Sequence, residues 1–233
     1  MKIATWNLER PSKTSKRTEA ILAILQALQA DILVLTETND CIDLGPAYHV
    51  FHTAILQDPK YKVGERRVSI FSKYPLADEI KGFETFNANT AICINLKTPI
   101  GELAVYGTIV GIFGNRKPPF KEDLEKQLLD FEAIHRKASH FCIAGDLNIS
   151  FSDNYYFTHV GRAKLNAAFA QHQMNNCTAK LRHNIDHIVL SEKYVGDRRV
   201  VVRYWNETEN KRARLSDHKG VMVEILEGWG TLI

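Results

Sequence analysis

Along this chain apolar residues return with two different periods, and the switches between them lay out the elements. Lys2 to Leu8 alternates with period two, which predicts a strand with Asn7 near its end. Arg17 to Ala30 sets Ile21, Ile24, Leu25 and Leu28 on one stripe, the signature of an amphipathic helix. Asp31-Ile32-Leu33-Val34-Leu35 is continuously apolar after its first residue, as expected of a strand buried on both faces, and delivers Glu37 to its C-terminal edge. Strand, helix and buried strand in succession predict a βαβ-like opening.

The pattern then changes character. Val68 to Ser72, Ala91 to Leu96 and Glu102 to Val110 predict strands separated by turn residues without helices, which favours hairpins or a meander. Phe120 to Ala138 returns to the helical period, with Leu124, Leu128, Phe131 and Ile134 on one side. His140 to Ala144 is a further apolar strand, Gly161 to His172 a helix, and Ile185 to Leu190, Arg199 to Trp205 and Gly220 to Ile225 are strands. No repeat, low-complexity tract or linker divides the 233 residues, so one domain, 1–233, is expected. The mixed succession predicts an α/β architecture of two packed sheets with helices outside.

Composition narrows this only slightly. With 45% hydrophobic and 24% charged residues there is ample material for a core. A formal charge of +3 is too weak a global field to demand or exclude a polyanionic substrate, so local charge must decide. Cys41, Cys93, Cys142 and Cys177 show no C-x-x-C spacing, and two of them sit in apolar strand runs. Reduced thiols in a reducing compartment are the expectation. The first strand begins within two residues of the N-terminus, leaving no room for a signal peptide, and no apolar stretch has the length of a membrane span. A cytoplasmic location is expected.

Five polar clusters stand at or beside the ends of these strands: Thr5-Trp6-Asn7, Glu37, Gly145-Asp146-Leu147-Asn148, Asn184-Ile185-Asp186-His187 and Leu215-Ser216-Asp217-His218. Singly, each is ordinary turn or cap chemistry. As an ordered set they supply carboxylates, carboxamides and an Asp–His pair. The i, i+2 spacing of Asp146 and Asn148 puts both side chains on one strand face. If the fold gathers the strand ends, the result is an oxygen-rich pocket suited to Mg²⁺ or Mn²⁺. No Cys/His spacing for zinc is present. Such a pocket suits phosphate-ester hydrolysis, where a cation and an imidazolium together stabilise charge on the phosphoryl and leaving oxygens. His187 should point to the face opposite Asp186 on the same strand and is expected to be packed or to support a site residue from behind, not to act in catalysis.

The motifs W-N, E after a buried strand, G-D-x-N, I-D-x-I and S-D-H, in that order, resemble the endonuclease/exonuclease/phosphatase superfamily. Arg67-Val68-Ser69-Ile70-Phe71-Ser72-Lys73-Tyr74-Pro75-Leu76 is similar to that family's segment ending in a Ser-Arg/Lys-Tyr-Pro-like turn. The resemblance implies a four-layer α/β sandwich, with two packed mixed β-sheets flanked by helices. It implies that Asn7 and Glu37 bind a divalent cation, with Asp217 a direct or water-mediated ligand. It further implies that Asp146 and Asn148 position and activate water, and that Asp186 holds His218 beside the phosphoryl group. Many members carry a His or Tyr near the end of the strand that here runs Leu103 to Val110; in register that position falls near Ile109, with Tyr106 and Thr108 as neighbours. The family's common Gln-Glu is here Thr36-Glu37.

Basic residues precede two of the motifs: Lys180 and Arg182 ahead of Asp186, and Lys211, Arg212 and Arg214 ahead of Asp217. Arg116 and Lys117 follow the strand that carries Tyr106. Arg116, Lys117, Arg182, Arg212 and Arg214 are therefore the expected substrate contacts, a local funnel for phosphate backbones. Tyr155, Tyr156 and Phe157 either stack on bases or cover a hydrophobic cluster. The reading is a divalent-metal-dependent phosphodiesterase, a nuclease acting on DNA or RNA. The alternatives are a phosphatase acting on a small phosphorylated metabolite or lipid headgroup, and a catalytically silent nucleic-acid-binding relative.

Overall fold

Two strand–helix–strand units organise the chain in a computed structural model that describes residues 1–56, 59–206 and 214–227. In the first, β1 (Lys2–Asn7), α1 (Lys16–Leu28) and β2 (Ile32–Asn39) bring two strands into parallel pairing. In the second, β7 (Gly101–Ile109), α2 (Pro118–His135) and β8 (Phe141–Asp146) do the same. Antiparallel strands extend each pair: β3 (His49–His52), β4 (Glu65–Ser72), β5 (Gly82–Phe83), β6 (Ala91–Thr98), β9 (Met174–Asn176), β10 (Asp186–Ser191), β11 (Arg199–Trp205) and β12 (Gly220–Leu226). The result is two mixed six-stranded sheets, ordered β11-β12-β1-β2-β4-β3 and β5-β6-β7-β8-β10-β9.

Side-chain alternation then sorts the apolar residues into layers. Ile3, Val34, Val68 and Ile70 of the first sheet meet Val105, Ile109, Ala144 and Ile188 of the second, forming the core between the sheets. The outer face of the first sheet buries Trp6, Leu33 and Leu35 beneath Ile21 and Leu25 of α1. The outer face of the second buries Tyr106, Phe141 and Ile143 beneath Phe131 of α2 and Leu165 of α3 (His159–Gln171). Helix, sheet, sheet, helix: the four-layer sandwich is present.

Boundaries differ from the periodicity reading for local reasons. Helix α1 stops at Leu28 rather than Ala30 because Gln29 takes a left-handed conformation, φ 49°. Helix α2 starts at Pro118, where the missing N–H costs nothing in a first turn. Strand β2 continues to Asn39, so Glu37 lies within it at φ 43° rather than at its edge. The short strands β3, β5 and β9 and the four-residue α4 (Glu192–Val195) were not legible, being too brief to show a period. All four cysteines are free thiols, Cys93 and Cys142 buried. Among the described residues no helix is long and apolar enough to cross a membrane.

Register positions the chemistry. Parallel pairing sets Asn7 opposite Thr36 and Ile109 opposite Asp146, while antiparallel pairing sets Asp186 opposite Asp146. The C-terminal ends of β1, β7 and β8 and the start of β10 therefore share one end of the sandwich.

Candidate active site

At that end the two sheets are stitched together by polar contacts. Asn7 of β1 donates its backbone N–H to Asp186 Oδ1 at 3.0 Å and its side-chain Nδ2–H to Asp146 Oδ2 at 3.2 Å. Asp186 Oδ2 stands 2.6 Å from His218 Nδ1. Ser216 Oγ donates to the Asn7 carbonyl at 2.7 Å and accepts from the His218 N–H at 3.1 Å, which fixes the loop carrying the histidine. The indole of Trp6 donates to the His218 carbonyl at 3.2 Å. Asp146, Asp186 and His218 offer ligand atoms within 4.8 Å of one another.

Tight backbone geometry holds the β8 end. Gly145 has φ 139°, and a Cβ there would lie 1.9 Å from the Thr108 carbonyl oxygen, so β7 and β8 approach too closely for any side chain. Asn148 lies beyond the strand at φ 52°; its N–H donates to Asp146 Oδ1 at 2.9 Å and its Nδ2–H to the Val110 carbonyl at 2.8 Å. The proximity of Asp146 and Asn148 thus comes from a left-handed turn and not, as the i, i+2 spacing implied, from a shared strand face. Glu9, Arg10 and Glu37 are also left-handed, so strained backbone gathers around this site.

The electrostatics follow from burial. Desolvation pushes the Asp146 carboxyl up to about 7; the His218 cation pulls it back, while Asp186 and Glu37 push it further up. Burial alone would lower the His218 imidazole, but the charges of Asp186 and Asp146 and the Asp186 hydrogen bond override it and raise it to about 10. His187, fully buried, donates its Nε2–H to the Ile149 carbonyl at 2.9 Å and accepts at Nδ1 from the Thr178 hydroxyl at 2.9 Å. It is a packed histidine.

Around this cluster lies a pocket of about 590 Å³ lined by Glu37, Ile109, Phe113, Tyr155, Arg214 and Asp217, among others. Glu37 pairs with Arg10 at 3.2 Å. Asp217 is an exposed rim residue, its carboxylate 3.7 Å from His218 Nε2. No proton donor comes from β7: Ile109 faces the pocket, whereas Tyr106 donates to Asp130 at 2.6 Å and Thr108 to Gln127 at 2.8 Å on the helix side.

The basic residues separate. Arg214 lines the pocket, but Arg116 and Lys117 line a neighbouring groove with Thr158 and Lys164 between α2 and α3. Arg182 is exposed, 4.0 Å from Asp153, and its carbonyl accepts from Lys219 at 2.9 Å. Lys211 and Arg212 lie outside the described residues. Tyr155 and Phe113 are exposed at the pocket, while Tyr156 Oη accepts from the Asn115 N–H at 3.2 Å and Phe157 stacks under Arg162 at 3.9 Å. Of the three aromatics, Tyr155 and Tyr156 both line the pocket, Tyr155 exposed and packed beside His183 at 5.1 Å, while Phe157 does not line it.

Several residues here were not singled out from sequence. Asn115 donates to the Asn148 carbonyl at 2.9 Å, and Arg17 donates to the Leu8 and Leu215 carbonyls at 3.1 and 2.6 Å, tying the β1 loop to the His218 loop. Neither had a local signal. Ser216 did, as the first residue of the Ser-Asp-His triplet.

The donor set fits a hard divalent cation. Asp146 and Asp186 bring buried carboxylates beside His218, and Glu37, paired with Arg10, adds a third at the pocket wall, hard oxygen donors of the kind Mg²⁺ or Mn²⁺ takes. The Asn7 amide oxygen, which a cation would use, accepts from the Glu9 N–H at 2.9 Å and retains its second lone pair.

Residues 4–218 match the model of a family described as Endonuclease/Exonuclease/phosphatase family. Among solved structures, the 3'-5' exonuclease NExo from Neisseria meningitidis aligns with a TM-score of 0.70 at 19% identity, covering 97% of this chain and 100% of its own. An AP endonuclease from Archaeoglobus fulgidus gives 0.68 at 17%, covering 97% and 99%. A humanized D. rerio TDP2 gives 0.65 at 15%, covering 97% and 99%. At such identities the likeness shows a shared fold. No curated protein matches the chain.

Proposed function

The chain belongs to the endonuclease/exonuclease/phosphatase family, and on that footing we propose that it is a divalent-metal-dependent phosphodiesterase, a nuclease cleaving DNA or RNA by attack of water. The observation that carries this reading is the Asp186–His218 pair, 2.6 Å apart, set beside the buried Asp146 carboxyl.

Asp186 accepts from Nδ1–H of His218 and thereby leaves Nε2–H as the ring's second donor. Held as a cation, His218 donates to a phosphoryl oxygen and offsets the charge that grows there. Asp146, anchored by the Asn7 and Asn148 donors, orients a water molecule and takes its proton. Its carboxyl, raised to about 7, is basic enough for that task near neutral pH. Asn7 and Glu37 would hold Mg²⁺ or Mn²⁺, with Asp217 reaching it directly or through water, and the bound cation supplies neutralisation of phosphoryl charge and a lower pKa for water. Tyr155 and Phe113 offer faces on which nucleobases stack. Arg214 adds positive charge at the pocket wall.

Neighbours named as an exonuclease and an AP endonuclease favour a nucleic-acid substrate. The second reading, a phosphatase for a small phosphorylated molecule, draws on Ile109: no β7 side chain there binds a diester. One assay separates them. Single- and double-stranded DNA, abasic DNA, RNA and phosphomonoesters are incubated with Mg²⁺, Mn²⁺ or EDTA, with Asp146→Asn and His218→Ala as controls. Diester cleavage that needs the cation and falls about 10²–10³-fold or more in both variants is expected. Turnover of monoesters alone would sink the nuclease reading, and activity surviving both substitutions would sink the site assignment.

A further inference from the structure

A second groove of about 590 Å³ adjoins the active-site pocket, sharing Ile112 with it, and is lined by Tyr61, Arg67, Asn87, Asn89, Thr90 and Asp123 among others. The wall between the two is short: the N–H of Ile109, a pocket residue, donates to the Thr90 carbonyl at 3.0 Å.

Arg67 is the unusual member. Its residue is only 6% exposed, yet its partners are neutral: Nη2 donates to Tyr61 Oη at 2.6 Å, and the guanidinium lies 4.8 Å from the Tyr61 ring centroid. Among the described residues no carboxylate pairs with it. Of the acids nearby, Glu37 pairs with Arg10, and Glu65, buried two residues earlier on β4, accepts from the Lys62 N–H at 2.9 Å through Oε2 while its Oε1 has no hydrogen-bond partner. Asp123, which shares the groove, accepts from Asn87 Nδ2 at 2.9 Å and from the Gly111 N–H at 3.3 Å. Lys60 also stands over the Tyr61 ring, at 5.1 Å.

A buried cation with no carboxylate bonded to it is costly, and a guanidinium keeps a planar fork of donors of which Tyr61 uses one. The ligand that matches the remaining donors is a phosphate, which Arg binds in a two-point geometry that Lys does not reproduce. We propose that Arg67, oriented by Tyr61, forms a second anion subsite that receives a phosphate one removed from the scissile phosphate along a nucleic-acid strand. This rests on the phosphodiesterase reading for the neighbouring pocket, and it makes the preferred substrate one with at least two phosphates.

The test measures binding rather than turnover. The full chain carrying Asp146→Asn is titrated with a dinucleoside monophosphate, a trinucleoside diphosphate, fructose 6-phosphate and fructose 1,6-bisphosphate. Arg67 is left intact or replaced as Arg67→Gln or Arg67→Lys, and Tyr61→Phe is made separately. The expected result is that Arg67→Gln lowers the two-phosphate over one-phosphate affinity ratio for the nucleotides by about tenfold or more. Arg67→Lys falls between, and on longer strands Arg67→Gln, which removes the charge, shrinks the slope of log affinity against log salt by about 1. Should Arg67→Gln fail to fold, Arg67→Lys and Tyr61→Phe carry the same comparison. An unchanged ratio in folded variants, or equal loss for one- and two-phosphate ligands, overturns the subsite. An Arg67-dependent ratio for the sugar phosphates alone overturns its nucleic-acid occupant. An Arg67-dependent nucleotide ratio in a protein that hydrolyses no phosphate ester supports the subsite while the phosphodiesterase reading fails.

Discussion

His218, in the loop leading into β12 of the first sheet, takes its partner from the second sheet: its Nδ1 lies 2.6 Å from Asp186, 32 residues away, whereas its chain neighbour Asp217 stands 3.7 Å from Nε2. That bond sets both the tautomer and the charge of the imidazole. Replacing Asp186 with Asn removes the negative charge while keeping the shape. Activity is expected to fall about 10³-fold or more, because the ring loses its orientation and its charge together. The pH profile carries the sign. With Asp186 present the ring is protonated up to about pH 10, so activity is lost only as pH rises through that value. In Asp186→Asn the alkaline limb moves down toward the ordinary histidine range near 6.5. An alkaline limb in the same position would show that His218 is not the group titrating.

Asp146 governs the acid side. Its carboxyl is raised to about 7 by burial, with the carboxylates of Asp186 and Glu37 adding to the shift, and so loses its basic form as pH falls through neutrality. Rates are expected to decline about tenfold per pH unit below 7, as a single-proton base requires. Asp146→Asn abolishes that limb and lowers kcat about 10²–10⁴-fold, while circular dichroism remains that of the parent. Full activity of the parent at pH 5 would rule Asp146 out as the base.

His187 links pH to stability rather than to rate. Burial lowers its pKa to about 4, with the Ile149 hydrogen bond opposing in part, so the folded protein holds it neutral. The unfolded chain binds the proton near pH 6.5, more readily than the folded one. The associated stability is therefore complete above about pH 6.5 and is lost as pH falls toward 4, on the order of 3 kcal/mol for such a shift. Urea unfolding at pH 7.5 and 4.5 measures it, and His187→Gln flattens the difference. Equal pH slopes in parent and variant would contradict the assignment.

Gly145 tests the close approach of β7 and β8. Ala there puts a Cβ 1.9 Å from the Thr108 carbonyl at φ 139°, and neither backbone has room to yield without parting the strands. Destabilisation on the order of 3 kcal/mol or more is expected, read as a drop in the urea midpoint. A midpoint within error of the parent would mean the two strands separate freely, and that Asp146 is not held by this contact.

What the sequence determined by itself was whatever has a local period or a local order. The alternation at Lys2 to Leu8, the stripe of Ile21, Leu25 and Leu28 and the apolar run through Leu35 dictate strand, helix and buried strand, because burial of one face or two is written in residue spacing. The order of the polar clusters likewise points to one gathered site, and Asn7, Asp146, Asp186 and His218 do meet. Tertiary structure alone decided the rest. Asn148 reaches Asp146 through a left-handed turn, Tyr106 turns to Asp130, and Arg116 and Lys117 line a different groove from Arg214. Arg67, unremarkable within its strand, is a buried cation partnered by Tyr61 of the segment between β3 and β4, and it lines a groove with Asn87 and Thr90 from the other sheet's side. Such partners are chosen by register and by sheet-on-sheet packing, which join residues tens or hundreds of positions apart and leave no trace in the spacing of either.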